Sequence, residues 1–308
     1  MIFVLAATLI AGVCLWCVHS AHRLAREALT RHPVGSDGII PGAASIELPV
    51  TDGQNAVLLL HGFGDTPQSL AYLARELHER GYAVAAPLLA GHGRTLHAFA
   101  ASSAEQWLAD ARCALDALRA HYAHVAIVGL SMGGALATLL AADDRELPAL
   151  VLLAPYLRAK PLVRALARIH RVAGILAPYV SSGERARSIL DPAERARALS
   201  YGAATPRLIA ELVALAARAR AALPRIVAPT LVVQSRDDNR LAPATAERVI
   251  ATVGAHEKRL EWVRGSGHVL TVDYGYARVC ALVGDWLDRF MRATPEDLLS
   301  SQSDAQSS

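Results

Sequence analysis

Cysteine is scarce in this sequence, with four in 308 residues, and their spacing matches neither a disulfide framework nor a zinc site. Cys14 and Cys17 fall inside an apolar N-terminal run, and Cys113 and Cys280 fall in predicted helices far apart. All are expected as buried thiols, with a Cys113–Cys280 bridge as the minor alternative. No H-E-x-x-H, P-loop or dinucleotide-binding fingerprint is present, so no metal and no organic cofactor is expected. A strong charge of one sign is also missing. The formal net charge of +3 is too small to implicate nucleic acid as a partner of the whole molecule.

Charged side chains are absent from Met1 to Ser20, and the apolar stretch Ile2 to Val18 reaches the lower length limit for crossing the hydrocarbon core. Residues 1–22 are therefore predicted to be an N-terminal transmembrane helix. A cleaved signal peptide competes with this reading, because small residues follow, but the cationic n-region of such peptides is missing. A helix simply buried in the protein is the third reading. The first cations, Arg23, Arg26 and Arg31, follow the run. Their position favours a single-pass protein with a cytoplasmic domain, whereas a cleaved signal would export it.

What the sequence does hold is apolar material, at 53% of residues, in an alternating pattern. After a Pro-, Gly- and Ser-containing linker (residues 23–44), the runs "NAVLLLHG", "YAVAAP", "HVAIVGL" and "ALVLLAP" read as buried strands. Helical segments separate them: one from Pro67 to about Arg80 capped by Thr66, then 103–121 and 132–143. Such alternation predicts an α/β fold with right-handed crossovers, a mostly parallel central sheet and helices on both faces. Residues 156–225 break the pattern with Arg- and Ala-rich helices. The grammar resumes with "APTLVVQS", a helix at 244–253, the strand "KRLEWVRG" and a helix at 276–292. The expected core is thus 45–155 plus 226–293, with a helical cap at 156–225 and a disordered tail at 294–308.

Ser131 lies in "GLSMGG", between a strand and a helix, where ligands of parallel sheets bind. Gly129, Gly133 and Gly134 permit the tight turn, and the G-x-S-x-G spacing is that of a nucleophile elbow. The bland alternative is a glycine-rich turn with a capping serine. The Met132 amide, at the helix start, is placed to face developing negative charge. A serine hydroxyl needs a base and an orienting acid. His268, in "GSGHVLT" after the last strand, is the candidate base. The loop "QSRDDNRLAP" offers Asp237 and Asp238 as the acid, giving the chain order Ser, Asp, His.

These segments together resemble the α/β-hydrolase superfamily, and within it the small bacterial carboxylesterases and monoacylglycerol lipases. The resemblance spans residues 45–292 and rests on "LLLHGFGDTPQS", "GLSMGG", "LPRIVAPTLVVQSRDDNRLAP" and "GSGHVLTVD". It implies Ser131 as nucleophile, His268 as base and Asp238 as acid, with Asp237 a competitor. It also implies an oxyanion hole built from the Phe63 and Met132 backbone N–H groups, a structural rather than catalytic His61, and a wall loop at "GHGR".

The reaction it implies is hydrolysis of carboxylic esters with a short or medium acyl chain, possible substrates including monoacylglycerols, through an acyl-enzyme. Thioesterase or acyltransferase chemistry uses the same triad, peptidase chemistry is a third choice, and a membrane-tethered binding protein without turnover is the rival from another class.

Between Pro155 and Ala228 the sequence carries thirteen Arg or Lys against four Asp or Glu, a net of +9. The basic excess is therefore concentrated in the cap, which would be drawn to an anionic leaflet or would be an ordinary solvated arginine-rich face. Leu162, Val163, Leu166, Ile169, Ile175 and Leu176 recur at helical spacing. They are expected to pack the cap onto the sheet or to line an acyl pocket.

Overall fold

The computed structural model describes residues 30–51, 53–181 and 188–292, with scattered positions between 12 and 28. Most of the predicted anchor at 1–22 and all of the tail at 294–308 lie outside these residues. Among the described residues no helix is long and apolar enough to cross a membrane, so the coordinates give the predicted transmembrane helix no support.

Seven strands form one sheet: β1 (Ile46–Leu48), β2 (Asn55–Leu60), β3 (Ala83–Ala86), β4 (His124–Leu130), β5 (Leu150–Leu153), β8 (Thr230–Ser235) and β9 (Lys258–Val263). Their order is β1-β3-β2-β4-β5-β8-β9. Every neighbouring pair is parallel except β1 and β3. Three-residue β1 carries no readable periodicity and was not expected as a strand.

The central strands are buried on both faces, which is why they read as unbroken apolar runs. Leu58, Leu60, Ile127, Leu152 and Val232 enter the core on one side of the sheet. Val57, Leu59, Val128, Leu153 and Val233, one residue out of phase, enter it on the other. Each such side chain contributes roughly 1.5–3 kcal/mol by leaving water. The helix Met132–Ala142 is buried along nearly its whole length, packed between β4 and the helices Ala104–Arg119 and Pro206–Ala222.

The predicted helix starting at Pro67 divides into a 3-10 turn, Pro67–Leu70, and an α-helix, Ala71–Glu79. Thr66 does not cap it through its side chain. The Thr66 carbonyl instead accepts from the Ser69 amide at 3.2 Å and the Ser69 hydroxyl at 3.1 Å, and its own hydroxyl is buried without a partner among the described residues. Caps do form at Thr95, Ser103, Asp191 and Thr205. Cys280 is buried as expected, but Cys113 is exposed; both are free thiols.

The insertion between β5 and β8 is not wholly helical. It holds helices Pro161–Arg168, His170–Leu176, Pro192–Arg197 and Pro206–Ala222, and also a short antiparallel pair, β6 (Val180–Ser181) with β7 (Ala203–Ala204). The last of these helices sinks Leu208, Leu215 and Ala219 into the main core. By contrast Leu162, Ile169 and Ile175 face solvent, correcting the expectation that they pack inward. Val163 and Leu166 are half-buried.

Candidate active site

Ser131 follows the last residue of β4 and precedes the first residue of the helix Met132–Ala142. Its backbone sits at φ 55°, ψ −112°, a sparsely populated conformation costing on the order of 1–3 kcal/mol. Surrounding hydrogen bonds hold it there. The Ser131 amide donates to the Leu153 carbonyl at 2.9 Å, and the Ser131 carbonyl accepts from the Gly134 and Tyr156 amides, each at 3.0 Å.

The glycines are required by close approach. A Cβ on Gly133 would lie 2.0 Å from the Leu60 carbonyl oxygen, and one on Gly129 would lie 2.3 Å from the Gly133 carbonyl oxygen. No side chain fits either place, so the elbow sequence follows from the packing.

Three distant side chains meet above this turn. His268 Nε2 lies 2.8 Å from Ser131 Oγ, and His268 Nδ1 lies 2.8 Å from Asp238 Oδ2. Asp238 is itself fixed: Oδ1 accepts from the Arg240 amide at 2.7 Å and the Leu241 amide at 3.0 Å, and Oδ2 accepts from Gln234 Nε2 at 2.7 Å. Burial alone pushes the Asp238 carboxyl up. The neighbouring His268 and the two loop amides outweigh it and hold the carboxyl below its ordinary range. It stays ionised and able to accept from imidazole.

Asp237, the competing acid, points elsewhere and accepts from the Gly265 amide at 2.8 Å. It braces the loop that carries His268. Phe63 and Met132 lie where their amides were expected, at the loop after β2 and at the helix start. Among the described residues neither amide donates to another backbone carbonyl in a loop or turn. The Phe63 ring is wedged against Phe99 and Trp107, at 5.1 Å and 5.8 Å between centroids.

His61 is a scaffold group. Its Nε2 accepts from the Leu89 amide at 3.2 Å while Nδ1 faces the Gly62 carbonyl at 2.9 Å, so the ring ties the loop after β2 to the segment just before "GHGR". Burial lowers its pKa to about 4.

Three residues escaped the sequence reading. Gln234, at the end of β8, orients Asp238. Asp273 is almost wholly buried and accepts from four amides: Leu190 and Gly267 at 2.7 Å, Asp191 at 2.9 Å and Tyr274 at 3.0 Å. It thereby joins the insertion to the histidine loop. Asp65 faces Ser131 across Gly62: a Cβ on that glycine would lie 3.6 Å from Ser131 Cβ and 3.7 Å from Asp65 Oδ2. Burial pushes the Asp65 carboxyl up to about 6, against the opposing pull of Ser69, the Thr66 amide and His268. Its one sequence signal was a carboxylate inside an otherwise apolar, glycine-rich loop. No group of three or more His, Cys, Asp or Glu suited to a metal exists among the described residues.

Comparison with known proteins identifies the family. The family described as serine aminopeptidase, S33, matches residues 51–274. A thermostable monoacylglycerol lipase from a Bacillus species is 30% identical over 223 residues, covering 72% of this chain and 86% of that protein. A carboxylesterase from Bacillus subtilis is 29% identical over 227 residues, covering 72% and 87%. The solved structure reported for the metagenome-derived lipolytic enzymes LipS and LipT superposes with a TM-score of 0.74 at 30% identity, covering 82% of this chain and 99% of that one.

Proposed function

We propose that this chain, which belongs to the serine aminopeptidase S33 family and is a lipase- or esterase-type serine hydrolase, cleaves carboxylic esters of short or medium acyl chain, monoacylglycerols among them. The observation that carries this reading is the unbroken hydrogen-bond relay from Asp238 through His268 to Ser131, with both links at 2.8 Å. The two Bacillus relatives support the substrate class by their names, a monoacylglycerol lipase and a carboxylesterase.

In the proposed reaction, His268 Nε2 takes the proton of Ser131 Oγ as that oxygen attacks the ester carbonyl carbon. The Phe63 and Met132 amides receive the oxyanion, and Asp238 stabilises the imidazolium. His268 then returns the proton to the departing alkoxide, leaving an acyl-enzyme. Water, deprotonated by the same imidazole, attacks the acyl carbon and releases the acid with Ser131 regenerated.

The test is a rate series over p-nitrophenyl esters and monoacylglycerols of rising chain length, with Ser131→Ala as the blank. A maximum at short or medium chains that vanishes in the blank is the expected result. Failure of the folded wild type to react with a fluorophosphonate probe sinks the enzyme reading, and a flat chain-length profile sinks the lipid preference.

We further propose that residues 1–22 anchor the protein in a membrane, leaving the hydrolase domain on the cytoplasmic side. Support comes from the absence of charge between Met1 and Ser20 and from the exposed Leu15 and Trp16. Alkaline carbonate extraction checks it, and release of the intact chain into the supernatant contradicts the anchor.

A further inference from the structure

The outer face of the insertion combines two features that soluble surfaces seldom bring together. Leu162 is 81% exposed, Ile169 57%, Val172 60% and Ile175 67%, all on or between the helices Pro161–Arg168 and His170–Leu176. The opposite side of the pair already packs against the helix Pro206–Ala222, with Ala167 buried there. A stripe of large apolar side chains is therefore left without a partner among the described residues.

Arginines flank that stripe. Arg164, Arg168 and Arg171 are exposed, and none forms an ion pair among the described residues. Other arginines of the insertion are neutralised: Arg197 by Glu194, Arg207 by Glu211, Arg218 by Glu105 and Arg225 by Asp143. Arg158, Lys160 and Arg220 also form no ion pair among the described residues, the last two meeting only backbone carbonyls, so part of the insertion's uncompensated charge lies beside its apolar stripe.

From this coincidence we propose that the outer face of the helices 161–176 docks on an anionic phospholipid surface, with Leu162, Ile169, Val172 and Ile175 entering the acyl boundary and the three arginines meeting phosphate groups. Amphipathic helices of this composition lie in the plane of the membrane interface, and the arginines add electrostatic attraction to anionic headgroups. A second copy of the chain fits less well. A two-fold contact would set one copy's arginines against the other's. A nucleic acid would use the charge and leave the apolar stripe in water. The proposal is independent of the catalytic reading, since no residue in it touches Ser131 or its partners.

The full chain is reconstituted into nanodiscs of phosphatidylcholine alone or mixed with phosphatidylglycerol, and amide exchange of residues 161–176 is followed. Exchange slows on the anionic discs relative to the neutral ones. Arg168→Gln with Arg171→Gln lowers the docking constant about fivefold per arginine at low salt, and Val172→Ser with Ile175→Ser lowers it by about tenfold or more. Melting temperature and turnover of a water-soluble ester stay at wild-type values in both pairs. Equal exchange on the two disc types, or wild-type protection in either variant pair, overturns the proposal. So does a detergent-solubilised dimer that the Val172 and Ile175 substitutions split.

Discussion

At the scale of single residues, the two adjacent carboxylates of the acid loop predict opposite outcomes. Asp238→Asn keeps the size of the group but cannot hold the imidazole tautomer, so kcat is expected to fall by about 10⁴-fold. Asp237→Asn, which disturbs only a contact to the Gly265 amide, should stay within about tenfold of wild type, a bound that follows from its position outside the relay. Steady-state kinetics on one soluble ester separates the two, and equal losses would mean that the acid has been misassigned.

Asp65 carries a pH signature. Its carboxyl is raised to about 6 from an ordinary 3.8, so the folded state favours the protonated form. The stability this gives is present below pH 3.8 and is lost as pH rises through about 6. Asp65→Asn should therefore raise stability at pH 8 by about 1–2 kcal/mol, a figure reduced because the residue is only half-buried, and should change little at pH 4. Thermal melts at the two pH values check the sign.

At the scale of elements, the elbow and the histidine loop rest on backbone rather than on side chains alone. Gly133→Ala would force a Cβ to within 2.0 Å of the Leu60 carbonyl oxygen, and the strand-to-helix turn has no room to yield. A loss of about 1–3 kcal/mol or more is expected, with activity falling further than stability because Ser131 shifts with the turn. Asp273→Ala strips the acceptor from four amides that join the loop of residues 188–191 to the loop carrying His268. Each buried donor left unmet costs about 1–3 kcal/mol, so a lower melting temperature and a reduced kcat should occur together. Unchanged kcat in the folded variant would show that the histidine loop keeps its place without Asp273.

At the scale of the whole molecule, acid sensitivity is built in where two buried imidazoles meet. His61 and His92 lie 4.9 Å apart between ring centroids. Burial lowers His61 to about 4, and burial together with His61 lowers His92 well below its ordinary 6.5. Both are neutral in the folded state, so no stability is lost above pH 6.5. As pH falls from 6.5 towards 4 the unfolded chain takes up protons that the folded chain refuses. The loss approaches about 1.4 kcal/mol per pH unit for each histidine. A melting temperature that is flat from pH 8 to 6.5 and drops steeply below it is the expected profile.

The same scale shows what the sequence could convey. Central strands were legible because burial on both faces leaves an unbroken apolar run. The elbow was legible because Gly129 and Gly133 admit no other residue. Strand β1 and the pair β6 and β7 were not, since two or three residues carry no period. Gln234 and Asp273 act through contacts that link separated segments, which local spacing does not encode. The periodicity of Leu162, Ile169 and Ile175 marked a common apolar face but could not say whether that face turns inward or outward.

One carboxylate thus grips both the insertion, at residues 190 and 191, and the loop bearing the imidazole. A swing of residues 188–191 away from the sheet must either break those short bonds or drag Gly267 along, and His268 is the next residue in the chain. Displacement of residues 188–191 and retention of the imidazole in register therefore compete for a single carboxylate.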